Sequence, residues 1–275
     1  MKKAFVIGWP IGHSKSPLIH GAWIAEHGLD ASYEPIAVAP ADLLDFIERV
    51  RSGEFAGGNV TIPHKEAVMA LIDEVDPLAA KIGAVNTLVV SDGRIAGSNT
   101  DYLGFLANLD AGAPGWDREL ESAIVLGAGG ASRAILAGLI DRGIARIDLL
   151  NRTSARAEAL AAEFGAAVRP GALTEFAQRA GTAGLVVNTS SVGMEGTAFE
   201  GVDLSLLSRS AVVTDIVYTP LVTPLLAQAR DKGLATVDGL GMLLYQAVPG
   251  FAAWFGTEPA VTAGLRQKVL AAMGQ

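Results

Sequence analysis

Residues 124–132 read IVLGAGGAS, and this stretch decides the fold class. Its apolar start indicates a buried strand, and its glycines allow a tight turn into the helix that we expect over residues 131–142. The pattern is G-x-G-x-x-S, which in this strand–turn–helix context is typical of a dinucleotide-binding β-α-β unit. The glycines let the backbone approach a pyrophosphate, whose charge is favoured at a helix start. A tight turn without a ligand is the alternative interpretation.

The alternation of strands and helices extends from this unit in both directions. Further strands are predicted at residues 3–8, 33–38, 58–61, 84–91, 147–150, 185–187 and 211–216, and the tail is expected to be helical over 239–255 and 259–273. Such alternation predicts an α/β fold with parallel sheets covered by helices. Ser16 is expected to cap one helix and Pro63 to start another, and the turn-rich residues 112–117 are the best candidate for a domain linker.

The composition excludes several classes of protein. Half of the 275 residues are hydrophobic and 18% are charged, which argues against disorder. The chain has no cysteine, so disulfides, thiolate metal sites and a cysteine nucleophile are excluded. Its formal net charge of −8 argues against a nucleic-acid surface, and no apolar run is long enough to span a membrane. We therefore expect a cytoplasmic protein with neither nucleic-acid nor membrane partners.

The second strand of the dinucleotide unit indicates which cofactor is used. An NAD-binding unit normally places an acidic residue there, to accept hydrogen bonds from the ribose 2′-hydroxyl. This chain instead has Asn151, Arg152 and Thr153, with Arg156 close behind. These side chains suit a 2′-phosphate, and a hydrogen bond to a charged group is worth about 1.5–3 kcal/mol. NADP is therefore predicted, with solvated arginines at a helix start as the alternative.

Several motifs, in order along the chain, resemble those of the shikimate dehydrogenase family. They are GWPIGHSKSP at residues 8–17, NVTIPHK at 59–65, GAVNT at 83–87, GSNTDYLG at 97–104 and DGLGMLLYQ at 238–246. The resemblance covers essentially the whole chain. It implies the reversible reduction of 3-dehydroshikimate to shikimate by NADPH, in aromatic amino acid biosynthesis.

The resemblance also implies two α/β domains with a cleft between them. Residues 1–103 would form a substrate-binding, catalytic domain with a parallel sheet, and residues 104–238 a Rossmann-type domain that binds NADP. The carboxyl-terminal helices, residues 239–275, would return to the substrate domain. The protein is expected to be a monomer or a homodimer.

The resemblance assigns roles to individual residues. It makes Lys65 and Asp101 the catalytic pair. The substrate would be held by Ser14, Ser16, Asn59, Thr61, Asn86, Tyr218 and Gln246. The glycine-rich turn already places Gly127, Ala128, Gly129, Gly130 and Ala131 at the cofactor, and the resemblance adds Thr189, Ser190, Ile216, Gly239 and Met242.

The residue types support part of this assignment independently. Reduction of a ketone needs a proton donor at the oxygen that receives negative charge. Lys65 would lie in the first turn of the helix expected at Pro63, where a cation opposes the helix dipole, and such a breach of a local rule indicates function. The alternatives are a surface lysine, an Asp101 that only starts a helix, a Ser16 that is chiefly an N-cap, and an Asn86 that pairs only with backbone.

The histidine spacing and the motif residues also bear on metal binding and on alternative functions. His13, His20 and His27 lack the i, i+4 spacing of a metal site, so no metal is expected. A quinate/shikimate dehydrogenase of broader cofactor use is the nearest alternative, but Ser14, Ser16 and Arg152 favour shikimate and NADP. A non-catalytic module that senses a nucleotide or metabolite is the alternative from another class.

Overall fold

The computed structural model describes residues 1–274, which divide into two units. The first unit contains Met1–Asp101 and Gln246–Gly274, and the second contains Tyr102–Tyr245. Residues 239–245, expected in the first unit, therefore belong to the second. The reason is local: the Asn108 amide donates to the carbonyl of Asp238 at 2.7 Å, which fixes the start of this segment.

The strands and helices follow one another along the chain as expected for an α/β protein. The strands are β1 (Lys2–Gly8), β2 (Ala31–Ala37), β3 (Gly57–Val60), β4 (Glu74–Val75), β5 (Thr87–Ser91), β6 (Arg94–Ser98), β7 (Ser122–Leu126), β8 (Ile147–Asn151), β9 (Val168–Ala172), β10 (Ala183–Asn188), β11 (Val212–Asp215) and β12 (Ala235–Val237). The helices are α1 (Ser16–Glu26), α2 (Leu43–Arg51), α3 (Pro77–Ile82), α4 (Asp101–Gly112), α5 (Gly130–Asp141), α6 (Ser154–Phe164), α7 (Phe176–Arg179), α8 (Pro224–Asp231), α9 (Leu240–Tyr245), α10 (Ala247–Phe255) and α11 (Ala263–Ala272).

The sheet of the first unit has the strand order β2-β1-β3-β5-β6-β4. Strand β5 runs antiparallel to its neighbours β3 and β6, and the other pairings are parallel. The hairpin between β5 and β6 turns at Asp92 and Gly93, which both have positive φ, 50° and 74°. Asp-Gly is the residue pair that such a two-residue turn favours. The side-chain core on one face centres on Phe5, whose ring meets those of Phe46 and Phe55 edge-on.

The sheet of the second unit has the order β12-β11-β10-β7-β8-β9, and every pairing is parallel. Counted from β7, this is the 3-2-1-4-5-6 order of a doubly wound dinucleotide-binding sheet. The α/β fold class predicted from the sequence is therefore confirmed. In such a sheet the ligand crevice lies at the carboxyl ends of the strands where the order reverses, which here is between β7 and β10.

Three local expectations are wrong. No α-helix begins at Pro63, because the carbonyl of Lys65 accepts a hydrogen bond from the amide of Val85 (2.8 Å), and only a short 3₁₀ turn, Ala67–Ala70, follows. Ser16 is the first residue of α1 rather than its cap, since the N-cap is Lys15. Residues 112–117 lie inside the second unit, where Arg142 pairs with both Asp110 and Asp117.

No helix among residues 1–274 is both long enough and apolar enough to cross a membrane.

Candidate functional site

The two residues predicted to be catalytic form an ion pair. The Nζ of Lys65 lies 2.7 Å from Oδ2 of Asp101, and both side chains are partly exposed, at 29% and 21%. Lys65 lies in the turn that follows β3, and Asp101 is the first residue of α4. The helix dipole invoked for Lys65 is absent because no helix begins at Pro63, so it is this carboxylate that fixes the ammonium. Both groups stay accessible to a ligand.

Asn86 connects this pair to the sheet. Its Nδ2 donates to Oδ1 of Asp101 at 2.8 Å, so the Asp101 carboxylate is held from both sides. Its Oδ1 accepts from the amide of Thr100 at 2.8 Å and from the hydroxyl of Thr87 at 2.9 Å. The donor and acceptor ends of this amide are therefore fixed by different partners, and its orientation is determined. The backbone-only alternative for Asn86 is wrong.

Asn59, in β3, is 6% exposed, and most of its hydrogen-bonding capacity is already used. Its Nδ2 donates to the carbonyl of Asn86 at 3.1 Å and to the hydroxyl of Thr87 at 3.2 Å. Its Oδ1 accepts from the Tyr33 hydroxyl at 2.6 Å.

Tyr33 was not predicted as a site residue. Burial raises the pKa of Tyr33 well above its usual value, and a hydrogen bond with the side chain of Ser16 offsets part of this rise. The phenol is therefore a donor at any working pH. Its ring is stacked on the buried His20 imidazole with 4.0 Å between ring centroids.

Ser14, Ser16 and Thr61 follow the carboxyl ends of the parallel strands β1 and β3. The amide of Ser16 donates to the hydroxyl oxygen of Ser14 at 3.3 Å, so the two serines are neighbours at the start of α1. The backbone of Thr61 donates to the carbonyl of Ile7 at 2.9 Å, which places it beside the end of β1. Hydroxyl groups are suited to a carboxylate, because they can donate to it.

The two remaining predicted substrate residues belong to different units. Gln246, buried at 9% exposure, is in the first unit immediately before α10. Tyr218 is in the second unit in the loop after β11, and burial raises the pKa of its phenol.

The glycine-rich turn in the second unit leads from β7 into α5. Gly127 has a φ of +109°, a backbone conformation that requires glycine, and a Cβ there would also lie only 3.0 Å from the Cβ of Ser190. Gly129 is the N-cap of α5 and, having no side chain, leaves the first amides of the helix free of a side-chain cap. Gly129, Gly130 and Ala131 are exposed. The turn therefore fits a pyrophosphate group.

Ser132, at the third position of the fingerprint, points inward. It is fully buried, and its hydroxyl donates to the carbonyl of Gly129. This bond closes the first turn of α5 and keeps the residue away from any ligand.

The residues after β8 present two cations and no carboxylate. The side chain of Asn151 accepts from the amide of Ala128 at 3.2 Å and donates to the carbonyl of Thr153 at 3.0 Å. It therefore joins the glycine-rich turn to the segment that carries the arginines. Arg152 and Arg156 are exposed and form no ion pair with the described part of the chain. This donor set fits a ribose 2′-phosphate.

The remaining residues predicted to bind the cofactor lie along the same edge of the sheet. The hydroxyl of Thr189 is 3.0 Å from the carbonyl oxygen of Gly127, across the position where the strand order reverses. The amide of Ile216 donates to the carbonyl of Asn188 at 3.1 Å. Gly239 packs so closely on Ile216 that a Cβ would lie 2.5 Å from the Ile216 carbonyl oxygen. Ser190 lies beside Gly127, and Met242 is partly exposed in α9.

Sequence reasoning missed the residues that support the site. They are Tyr33, Thr87, Asn99, Thr100 and Thr223, and the hydrogen-bonding role of Asn188 and Asp215 was not predicted either. The detectable signal is a polar residue at the end of an apolar strand, as Asn188 ends β10 and Asp215 ends β11. Tyr33 gave no such signal, because tyrosine is an ordinary strand residue.

Family models match most of the chain. A model described as "Shikimate dehydrogenase substrate binding domain" matches residues 6–88, and one described as "Shikimate / quinate 5-dehydrogenase" matches residues 116–242. These two segments lie in the first and the second unit, respectively.

Full-length relatives agree with the family models. A shikimate dehydrogenase (NADP(+)) of Mesorhizobium japonicum is 55% identical over 98% of this chain and 96% of its own length. The shikimate 5-dehydrogenase of Thermus thermophilus, solved in complex with NADP(H) and shikimate, is 38% identical with a TM-score of 0.86, over 99% of this chain and 100% of the other. A quinate dehydrogenase of Corynebacterium glutamicum in complex with NAD is 32% identical with a TM-score of 0.89, over 98% and 99% of the two chains.

Proposed function

The chain belongs to the shikimate dehydrogenase family and is an NADP-dependent oxidoreductase, and we propose how its residues perform the reversible reduction of 3-dehydroshikimate to shikimate. The observation that carries the proposal is the Lys65–Asp101 pair, held by Asn86 and still accessible from solvent. We assign the first unit to the substrate and the second to NADP.

The proposed chemistry needs one proton at one oxygen. When bound, NADPH would supply the hydride for the carbonyl carbon, and the carbonyl oxygen would need a proton to become the hydroxyl of shikimate. Lys65 holds that proton on Nζ, 2.7 Å from the carboxylate that orients it. In the oxidative direction the same amine takes the proton back. The positive charge of Lys65 also stabilises the negative charge that develops on the oxygen.

The substrate carboxylate is assigned to the Ser14–Ser16 end of the site. The hydroxyls of Ser14 and Ser16 provide neutral donors, which is how a chain of net charge −8 can bind an anion. Asn59, Thr61, Asn86, Tyr218 and Gln246 are assigned to the ring hydroxyls. Asn86 offers the second hydrogen of its Nδ2.

The cofactor assignment follows the carboxyl edge of the second sheet. Gly127–Ala131 hold the pyrophosphate, and Asn151, Arg152, Thr153 and Arg156 hold the 2′-phosphate. Thr189, Ser190, Ile216, Gly239 and Met242 border the nicotinamide. The absence of a carboxylate at the end of β8 supports this arrangement, since an acid there would repel the 2′-phosphate.

The test compares Lys65→Met with a matched control, Lys268→Met, at an exposed position of α11. Initial rates of NADPH formation from shikimate and NADP are measured beside NAD and beside quinate. We expect Lys65→Met to lower kcat by about 10²–10⁴-fold, the usual size of general acid–base catalysis, with little change in KM for shikimate. An unchanged kcat would overturn the catalytic assignment, and comparable turnover of quinate would favour the broader dehydrogenase.

A cytoplasmic location and a monomeric or homodimeric state stay predictions from the sequence.

A further inference from the structure

Asp215 is a buried carboxylate without a cationic partner in the described part of the chain. It ends β11 and is 1% exposed. Its Oδ1 accepts from the Asn188 side chain at 3.0 Å and from the amide of Val217 at 2.9 Å, and its Oδ2 accepts from the hydroxyl of Thr223 at 2.7 Å. Burial raises the pKa of Asp215, and these hydrogen bonds offset part of the rise. Burying such a group is costly, so a gain elsewhere is expected.

The carboxylate joins two loops that follow adjacent parallel strands. Asn188 ends β10, and besides binding Asp215 its Nδ2 donates to the carbonyl of Val192 at 2.8 Å. Its Oδ1 accepts from both the amide and the hydroxyl of Ser190, at 2.9 and 2.8 Å. Asn188 thereby shapes the loop of residues 189–193.

The second loop, residues 216–223, is held by Asp215 at both of its ends. Val217 donates from the start of the loop and Thr223 from its end, just before α8. The Asn188–Asp215 bond then joins this loop to the first. The loops carry Ser190, Ile216 and Tyr218, which the proposed function places at the nicotinamide and the substrate.

We propose that Asp215 is a positioning residue that sets the relative placement of these two loops. The inference rests on the proposed function for Ser190, Ile216 and Tyr218. Asp215 is too buried to touch a ligand, so it acts through Asn188 and Thr223. A carboxylate suits the position because it has only acceptors and meets three donors. An amide would present a donor to one of those partners.

The test removes one support at a time. Thr223→Val keeps the side-chain shape but deletes the hydroxyl that binds Asp215, and Thr223→Ser keeps that hydroxyl. Thr223 also caps α8 by accepting from Leu226 at 3.4 Å, so loss of the cap needs its own control. Thr262→Val provides it, because Thr262 caps α11 by accepting from Leu265 at 3.1 Å in the first unit.

Kinetic constants and thermal melts are measured on all three variants and the wild type. We expect Thr223→Val to lower kcat/KM for shikimate about tenfold, the effect of losing one hydrogen bond to a charged group. Its KM for NADP should change less, since the residues assigned to the 2′-phosphate lie in another loop. Thr223→Ser should recover most of the loss, and Thr262→Val should lower the melting temperature alone.

The result that overturns the inference is a Thr223→Val enzyme with wild-type kinetic constants and only a lower melting temperature. Asp215→Asn tests the same role while leaving Thr223, the cap of α8, unchanged, and this variant must also lower kcat/KM. Failure of the proposed function looks different. If the Lys65→Met enzyme keeps the wild-type kcat while the Thr223→Val enzyme has a lowered kcat/KM, the catalytic assignment fails and the role of Asp215 stands.

Discussion

The hydroxyl of Tyr33 is connected to the Lys65–Asp101 pair, which we propose to be catalytic, through a series of hydrogen bonds. Removing this hydroxyl tests whether its support reaches Lys65. The hydroxyl donates to Asn59 at 2.6 Å, and Asn59 donates in turn to the carbonyl of Asn86 at 3.1 Å. Asn86 binds Asp101, which binds Lys65. Tyr33→Phe keeps the ring and its stacking on the neighbouring imidazole but removes the first hydrogen bond of this series.

The expected magnitude follows from the burial of the partner. With the donor gone, Oδ1 of Asn59 is left in a site where the residue is 6% exposed, and an unsatisfied buried acceptor costs about 1–3 kcal/mol. In a chain of this size each kcal/mol lowers the melting temperature by about 2–4 °C. Only part of the disturbance reaches Asp101, so we expect kcat to fall about threefold to tenfold, which corresponds to about 0.7–1.4 kcal/mol.

The assay combines thermal melts with initial rates from shikimate and NADP. Both effects should be independent of pH between about 6 and 9, because the raised pKa of Tyr33 keeps the phenol protonated. The same change is then made in an Asn59→Ala background, where the acceptor is missing. The reasoning is refuted if Tyr33→Phe costs as much there as in the wild type, since the bond to Asn59 would then not carry the effect.

Two further predictions concern the cofactor and the aromatic core. Arg152→Ala should raise KM for NADP about tenfold or more while leaving KM for NAD nearly unchanged, and equal losses for both would contradict the 2′-phosphate assignment. Burial lowers the pKa of His20 from 6.5 to about 3, so the unfolded chain binds this proton first as the pH falls below 6.5. The free energy of unfolding should therefore fall by up to about 1.4 kcal/mol for each pH unit below 6.5 through this group. Between pH 7.5 and 5.0, the free energy of unfolding measured with urea should fall by about 2 kcal/mol less in His20→Phe than in the wild type. An equal fall in both proteins would contradict this prediction.

The sequence predicted the elements whose signals are local. The strand–turn–helix at residues 124–141 is specified by an apolar run and glycines within a few positions of one another, and the structure has it as β7 and α5. The hairpin at Asp92–Gly93 carried an equally local signal that was overlooked. The helix expected at Pro63 failed because the carbonyl of Lys65 binds Val85, a partner that no local pattern reveals.

The same distinction between local signals and distant partners applies to the residues of the site. Motifs named Lys65, Asp101 and Asn86 as candidates, and the structure brings these three together. The supports of these residues and of the loops in the second unit could not be predicted, because hydrogen-bond partners such as Tyr33 with Asn59, or Asp215 with Asn188, are separated by more than twenty residues. Chain separation conceals such pairs, since only the sheet register makes them neighbours.

Within each of the two units, asparagine side chains link segments that are distant along the chain. Asn59, Asn86, Asn151 and Asn188 each lie at or beside the end of a strand, and each uses its donor on one partner and its acceptor on another. An amide does this without charge, so it can be buried next to a carboxylate. Aspartate in place of Asn86 would set a second negative charge against Asp101. Leucine would leave the Thr100 amide and Oδ1 of Asp101 without the partner that Asn86 gives each of them. These positions therefore require a side chain with both a donor and an acceptor, and either replacement of Asn86 should disturb Lys65, which we propose to hold the proton.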